Sequence, residues 1–271
     1  MVVQERSGTD RSECDTLAAP PRGGVRAKGG LSSMIMPTIR SSFERREALH
    51  LVDLLGRHDE ELRDAARERL EREGLDGLLD DPRVLNALLT DDDVKSRPEI
   101  LFYVLVRQCM LERGVDDPVA ADYVASVLVS FGRSRRAYRI SEEREEEYGY
   151  LVDMVTRLQE ADAREAFLLR LHIGNFALWL SGLFPDFLQA RVHRRGAPPI
   201  SYYERMGSSG FFEASRSPEA SALGLDGALG SIARQFRGVR SALNQVSDRY
   251  LWRGSGNPVE RLLREVSRAT E

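Results

Sequence analysis

Few residues in this chain stand at the spacings that chemistry uses. Glu47 and His50 form one Glu-x-x-His, the i,i+3 unit that sets a carboxylate and an imidazole on one helix face toward a metal. A di-iron carboxylate bundle needs a second copy of that unit and further inward glutamates. None of the other histidines, His58, His172 and His193, follows a glutamate by three residues, so that site is excluded. Even a mononuclear site would have to draw His172 from far along the chain. The expectation is no metal and no cofactor.

His172 and Asn175 form a second constellation, one turn apart within an otherwise apolar stretch. Polar groups on a buried helix must find hydrogen bonds. They are either core residues bonded to neighbouring helices or the wall of a ligand pocket. Tyr203, in the run Tyr202-Tyr203-Glu204-Arg205, is the candidate third member of such a ligand-binding set. Residues 198–212 read as a short helix ending in a tight loop, with Gly207 and Gly210 around Ser208 and Ser209. No nucleophile–base–orienter spacing is present to suggest a serine hydrolase.

Two arginine-rich stretches, Arg133 to Arg139 with Tyr138 and Arg191 to Arg195, have the residue types that hold phosphate and stack bases. Lysine occurs only at Lys28 and Lys95, so nearly every base in the chain is arginine. That bias is a property of the whole sequence and weakens any cluster built on it. No short recognition helix of the helix-turn-helix type can be located, and the net charge is only -4. Nucleic acid is not the expected partner.

The elements that must position these residues read as helix after helix. Ser41 with Glu44 makes a capping box for a helix running to about Gly56. Asp59 opens a second, highly charged helix with Asp59–Arg63 and Glu68–Arg72 pairs, ending at Gly74. Asp81-Pro82 starts a short helix through Leu89. Ser96, Pro98 and Glu99 open the next, closed by Gly114, and Asp117-Pro118 opens another, closed by Gly132. The β-branched run Val124 to Phe131 lies between these caps and reads as helix. A loop from Arg133 to Arg139 meets a solvated acidic first turn, Glu142 to Glu147. Asp162 with Glu165 makes another capping box, and Asn257-Pro258 with Glu260 starts a last short helix.

The run from Phe167 to Phe184 is apolar nearly all round, with no charged residue between Leu171 and Pro185. A membrane helix needs about 20 such residues; this run is shorter and carries Arg170, His172, Asn175 and Ser181. It is therefore expected to be the core helix that the others surround, with no membrane span.

Near the C-terminus Leu225, Leu229, Ile232, Phe236, Val239, Leu243, Val246 and Tyr250 alternate at spacings of four and three. A 3.5-residue repeat over more than three heptads predicts one long helix laying a stripe against a partner helix. That helix, residues 225–251, either closes the bundle or pairs with its twofold mate. In the second case Leu229, Ile232, Phe236, Val239, Leu243 and Val246 form the interface. Gly227, Gly230 and Gly238 imply a close backbone neighbour or a bend. Arg240, Asn244 and Asp248 share a face beside the seam and read as a hydrogen-bonded edge, with Asp248 answering Arg240 or Arg237.

The 271 residues suffice for a real core. Two cysteines, Cys14 and Cys109, make neither a disulfide framework nor a four-thiolate site, and Cys109 reads as a small buried hydrophobe. Residues 1–37, rich in Gly, Pro, Ser and Arg, lack apolar periodicity and are expected to be disordered, with Met34 or Met36 as the natural start. They carry no secretory signal. The reading is an all-α protein, a single-domain helical bundle over residues 38–271 around a buried central helix, with a long heptad-patterned C-terminal helix. Its expected role is that of a cytoplasmic, non-enzymatic interaction or regulatory protein that pairs with itself or another protein. An all-α ligand-binding protein or enzyme with a pocket near the central helix is the alternative.

Overall fold

The computed structural model describes residues 34–43, 45–57, 59–90, 98–132 and 151–251, and among them the secondary structure is entirely helical. After a 3₁₀ turn at Arg40–Ser42 come α1 (Arg45–Leu55), α2 (Glu60–Leu79), α3 (Pro82–Thr90), α4 (Pro98–Glu112), α5 (Pro118–Gly132) and α6 (Leu151–Leu158). Then follow α7 (Ala163–Leu183), α8 (Pro185–Arg195), α9 (Ile200–Ser215), α10 (Pro218–Ala222), α11 (Asp226–Arg234) and α12 (Phe236–Val246), with a π-helical turn at Ser247–Leu251. Buried residues from Ile39 to Val246 form one contiguous core.

Local chemistry starts three of these helices, α2, α5 and α7, where the sequence places them. The Asp59 carboxylate accepts from the backbone N–H of Glu61 and Leu62. Asp117 accepts from Val119 at 3.1 Å and Ala120 at 2.9 Å, and Asp162 accepts from Glu165 at 2.8 Å. Each such cap contributes about 1 kcal/mol by satisfying donors the helix itself cannot. Glu44, His58, Ser96, Arg133 to Arg139, Glu142 to Glu147 and the Asn257 to Glu260 cap lie outside the described residues, as does Cys14.

In α2 the expected stop at Gly74 is a kink. Gly74 takes φ 73°, a left-handed conformation that costs glycine little, and the chain regains helix as far as Leu79. The Glu68–Arg72 pair forms at 3.1 Å. Arg63 instead turns to the Gly56 carbonyl at 2.9 Å and lies 3.9 Å from Asp53.

Helix α7 is the core helix. It is long and apolar enough to cross a membrane, but 94% of its apolar window is buried inside the molecule. It packs on α5, α6, α8, α9 and α12. The closest neighbour is α9, which corrects the sequence reading of residues 198–212: the Gly-Ser-Ser-Gly run is the middle of a 16-residue helix, not a loop. A Cβ on Gly210 would lie 2.7 Å from the Arg170 carbonyl oxygen and 3.0 Å from the Gly174 nitrogen; one on Gly207 would meet the Phe236 ring. The glycines let two helix backbones touch, and the burial gained on both sides outweighs their low helix propensity.

The C-terminal seam is also corrected. The stripe exists, but it runs over two helices, α11 and α12, broken at Gln235 (φ -108°, ψ 20°). Leu229, Ile232, Val239, Leu243 and Val246 are fully buried and Phe236 nearly so. Helix α11 lies on α9 and α5, whereas α12 lies on α7 and α4. The break lets one apolar stripe follow two differently directed surfaces. The six residues expected at an intermolecular interface are therefore covered by the chain's own helices.

Candidate functional site

The sequence-designated ligand residues do not converge. The His172 ring belongs to an aromatic cluster with Phe131 at 5.7 Å and Phe176 at 6.4 Å, continued by Trp179. Asn175, one turn on, also meets α5, its Oδ1 accepting from the Tyr123 hydroxyl at 3.0 Å. Burial holds that hydroxyl above the ordinary tyrosine range. Gly210 lies against Arg170 and Gly174, and Gly207 reaches Ala177, so α7 and α9 run antiparallel. Tyr203 then falls level with Ser181, roughly 9 Å along the helix from Asn175 at 1.5 Å per residue. Glu47 and His50 sit on α1, which packs chiefly on α2 and α3. No cluster of three metal-ligating side chains occurs among the described residues. Cys109 is buried, and burial pushes its thiol up to about 11.

The edge beside the seam forms with a different acid. Arg240 donates to Glu204 of α9 at 2.8 Å and to Asn244. Asn244 then donates to the Ser181 carbonyl at 3.1 Å and to that of Gly182, and the Ser247 hydroxyl donates to the Leu183 carbonyl at 3.0 Å. These are the orphan carbonyls at the end of α7. Asp248 is exposed and takes no part.

The densest polar assembly lies elsewhere, where the end of α2 meets α4, α5 and the segment 34–43. Helix α2 carries Asp76 in its last turn and ends at Asp80, two acids at the end whose dipole disfavours them. Asp81 follows at the start of α3, where its Oδ1 accepts from the backbone N–H of Arg83. Each is answered by arginine. Arg40 makes a two-pronged pair with Asp76, its Nε at 2.6 Å. Arg107 reaches Asp80 through Nε at 2.7 Å and Nη2 at 2.6 Å, with Asp116 also 2.6 Å from Nη2. Asp81 takes Arg83 at 2.6 Å and Arg69 at 3.2 Å. Gln108 adds a bond from its side-chain amide to the Leu79 carbonyl at 3.0 Å.

Asp122 anchors the N-terminal segment. Its two oxygens accept from the consecutive backbone N–H groups of Ile39 at 3.0 Å and Arg40 at 3.2 Å. Met34, Ile35 and Met36, assigned by sequence to the disordered leader, pack against the core beside it. Phe43 sets its ring edge-on to Tyr103 at 6.4 Å.

The electrostatics follow from burial and pairing. Burial alone would lower the pKa of Arg107, but its bonds to Asp80 and Asp116 more than reverse that and hold it firmly cationic. Hydrogen bonds from Arg83 hold Asp81 below the usual carboxylate range. Burial pushes Asp122 above that range, against the N–H groups of Arg40 and Ile39. Burial, and after it the charge of Asp76, keeps the Tyr103 phenol protonated. Among the described residues, the Tyr103 hydroxyl and the Arg107 Nη1 are buried without a hydrogen-bond partner.

Sequence reasoning missed this junction, although two signals pointed to it. Arg107 stands alone in the apolar run from Ile100 to Met110, and Asp122 in that from Val119 to Phe131. A charge inside an apolar helix requires a partner from another element. Compared with protein-family models, with curated proteins and with solved structures, the chain matches none of them.

Proposed function

We propose that this protein is a cytoplasmic, non-enzymatic interaction or regulatory protein that acts on a second copy of itself or on another protein. The observation that carries this reading is the use of its buried and half-buried polar side chains. Asn175, Glu204, Arg240, Asn244 and Ser247 each tie one helix to another, and the aspartates at the end of α2 bind arginines from α4 and the N-terminal segment. Such bonds stiffen a body that presents a fixed surface. Because the heptad seam is internal, contact with a partner runs over exposed surface, where Leu49, Leu89, Val119, Val152 and Phe212 are large apolar side chains on view.

A second reading, a ligand-binding protein with its pocket beside α7, is favoured by Trp179. Its indole N–H is buried on the aromatic face of that helix with no partner among the described residues. Native mass spectrometry of the full chain from its original host, with sedimentation velocity over a range of concentrations, tests both. A dimer or a protein complex free of small-molecule mass supports the interaction reading. A strict monomer carrying a small molecule overturns it in favour of the second, and a strict monomer carrying nothing overturns both.

A further inference from the structure

Tyr103 and Arg107 stand one turn apart on one face of α4, Tyr103 against the Phe43 ring and Arg107 reaching Asp80 and Asp116. Tyr103 is fully buried and Arg107 98% buried, yet neither the Tyr103 hydroxyl nor the Arg107 Nη1 has a hydrogen-bond partner among the described residues. Two adjacent buried donors left unmade would each carry a desolvation cost that native proteins rarely leave standing. We propose that this face of α4 binds one small neutral hydrogen-bond acceptor, held jointly by the Tyr103 hydroxyl and the Arg107 guanidinium.

The chemistry of the surroundings selects that class of guest. A guanidinium only donates, so the guest must accept. Four carboxylates, Asp76, Asp80, Asp116 and Asp122, surround or pair with two arginines, Arg40 and Arg107. An anion would add to that excess of negative charge, and a cation would face the guanidinium. The guest is therefore uncharged: a water molecule, or the hydroxyl or carbonyl oxygen of a small polar compound. The segment 34–43 closes the Tyr103 side of the site, fixed by Asp122, by the Arg40–Asp76 pair and by Phe43 against Tyr103. Exchange then requires that segment to lift, which makes the guest long-lived.

A high-resolution crystal structure of the full chain gives the direct test. Density within hydrogen-bond distance of both atoms is the expected result, and close-packed side chains there, with no density, would overturn the proposal. Native mass spectrometry separates the sources, since an organic guest adds mass that survives desalting and water does not. Tyr103→Phe supplies an independent readout. With a guest in place, the variant loses a bond and its folding constant falls several-fold. With no guest, removing an unpaired hydroxyl leaves that constant unchanged or raises it, which sinks the idea. The deuteron relaxation dispersion of the wild-type chain should also lose the contribution of one long-lived water in Tyr103→Phe when the guest is water.

Discussion

Replacing Arg107 by Met tests the physical account of the junction most sharply. Methionine keeps an unbranched apolar stem along α4 and removes the charge with its bonds to Asp80 and Asp116. The two acids then part company. Asp116 is 76% exposed and returns to water almost freely, whereas Asp80 is only 25% exposed and sits at the negative end of α2. Removing one partner of a fully buried pair costs about 3–5 kcal/mol. The partial exposure of Asp80 lowers this to about 2–3 kcal/mol, by interpolation toward the roughly 0–1 kcal/mol of surface pairs. For a chain of this size that is a drop in Tm of roughly 4–12 °C. Asp116→Asn should cost less than about 1 kcal/mol. The pair Arg107→Met with Asp80→Asn should cost less than the sum of the single changes, because each single change strands the other's charge. Urea denaturation followed by circular dichroism measures all four variants. An Arg107→Met midpoint equal to wild type, or an Asp116→Asn loss as large as that of Arg107→Met, would refute the assignment of Asp80 as the main partner.

Three further outcomes follow from particular contacts. Gly210→Ala should destabilise by about 1–3 kcal/mol, because the added methyl meets the α7 backbone. Gly227→Ala, in an α11 position with nothing within 4 Å, should stabilise by up to about 1 kcal/mol, so thermal melts of the two must move in opposite directions. Stability against pH should show two opposed contributions. Asp81, held low by Arg83, stabilises above the unfolded value of about 3.9 and loses that effect as pH falls through its lower folded value. Asp122, held high by burial, contributes most below about 3.9 and loses its contribution as pH rises through its raised folded value. Asp81→Asn should remove the rising limb and Asp122→Asn the falling one; urea midpoints from pH 3 to 7 in which the two variants share one slope change would contradict this. Cys109 should react slowly with thiol reagents at pH 8 in the native state and rapidly in urea, because burial holds its thiol up to about 11.

What the sequence disclosed about the fold is what short-range physics decides. The Asp59, Asp117 and Asp162 caps act within three residues, so their effect can be read without knowing the tertiary structure. The heptad stripe was legible as a stripe, since burial of Leu229 to Val246 needs only helical phase. Its break at Gln235 was not, because a 3.5-residue repeat records which side is apolar and says nothing about whether the surface it meets is straight. For the same reason Gly207 and Gly210 looked like a loop: their purpose, contact with Ala177 and with Arg170 and Gly174, is held by a helix some 30 to 40 residues earlier.

The candidate site hid for a related cause, and the comparison shows where to look in such chains. His172 and Asn175 drew attention because they are rare polar types in an apolar run, yet a neutral polar group can settle on a single neighbouring helix, as the Asn175 oxygen does on the Tyr123 hydroxyl. Arg107 and Asp122 were the stronger signal. A buried charge needs several bonds at once, so it must gather residues from several elements, and Arg107 gathers the end of α2 and the α4–α5 link while Asp122 gathers the N-terminal segment. One guanidinium N and one phenol remain over after that gathering. In an all-α chain without a metal-ligand or nucleophile pattern, the lone charge inside an apolar helix is therefore the residue from which to begin, because its incomplete pairing is where a guest can bind.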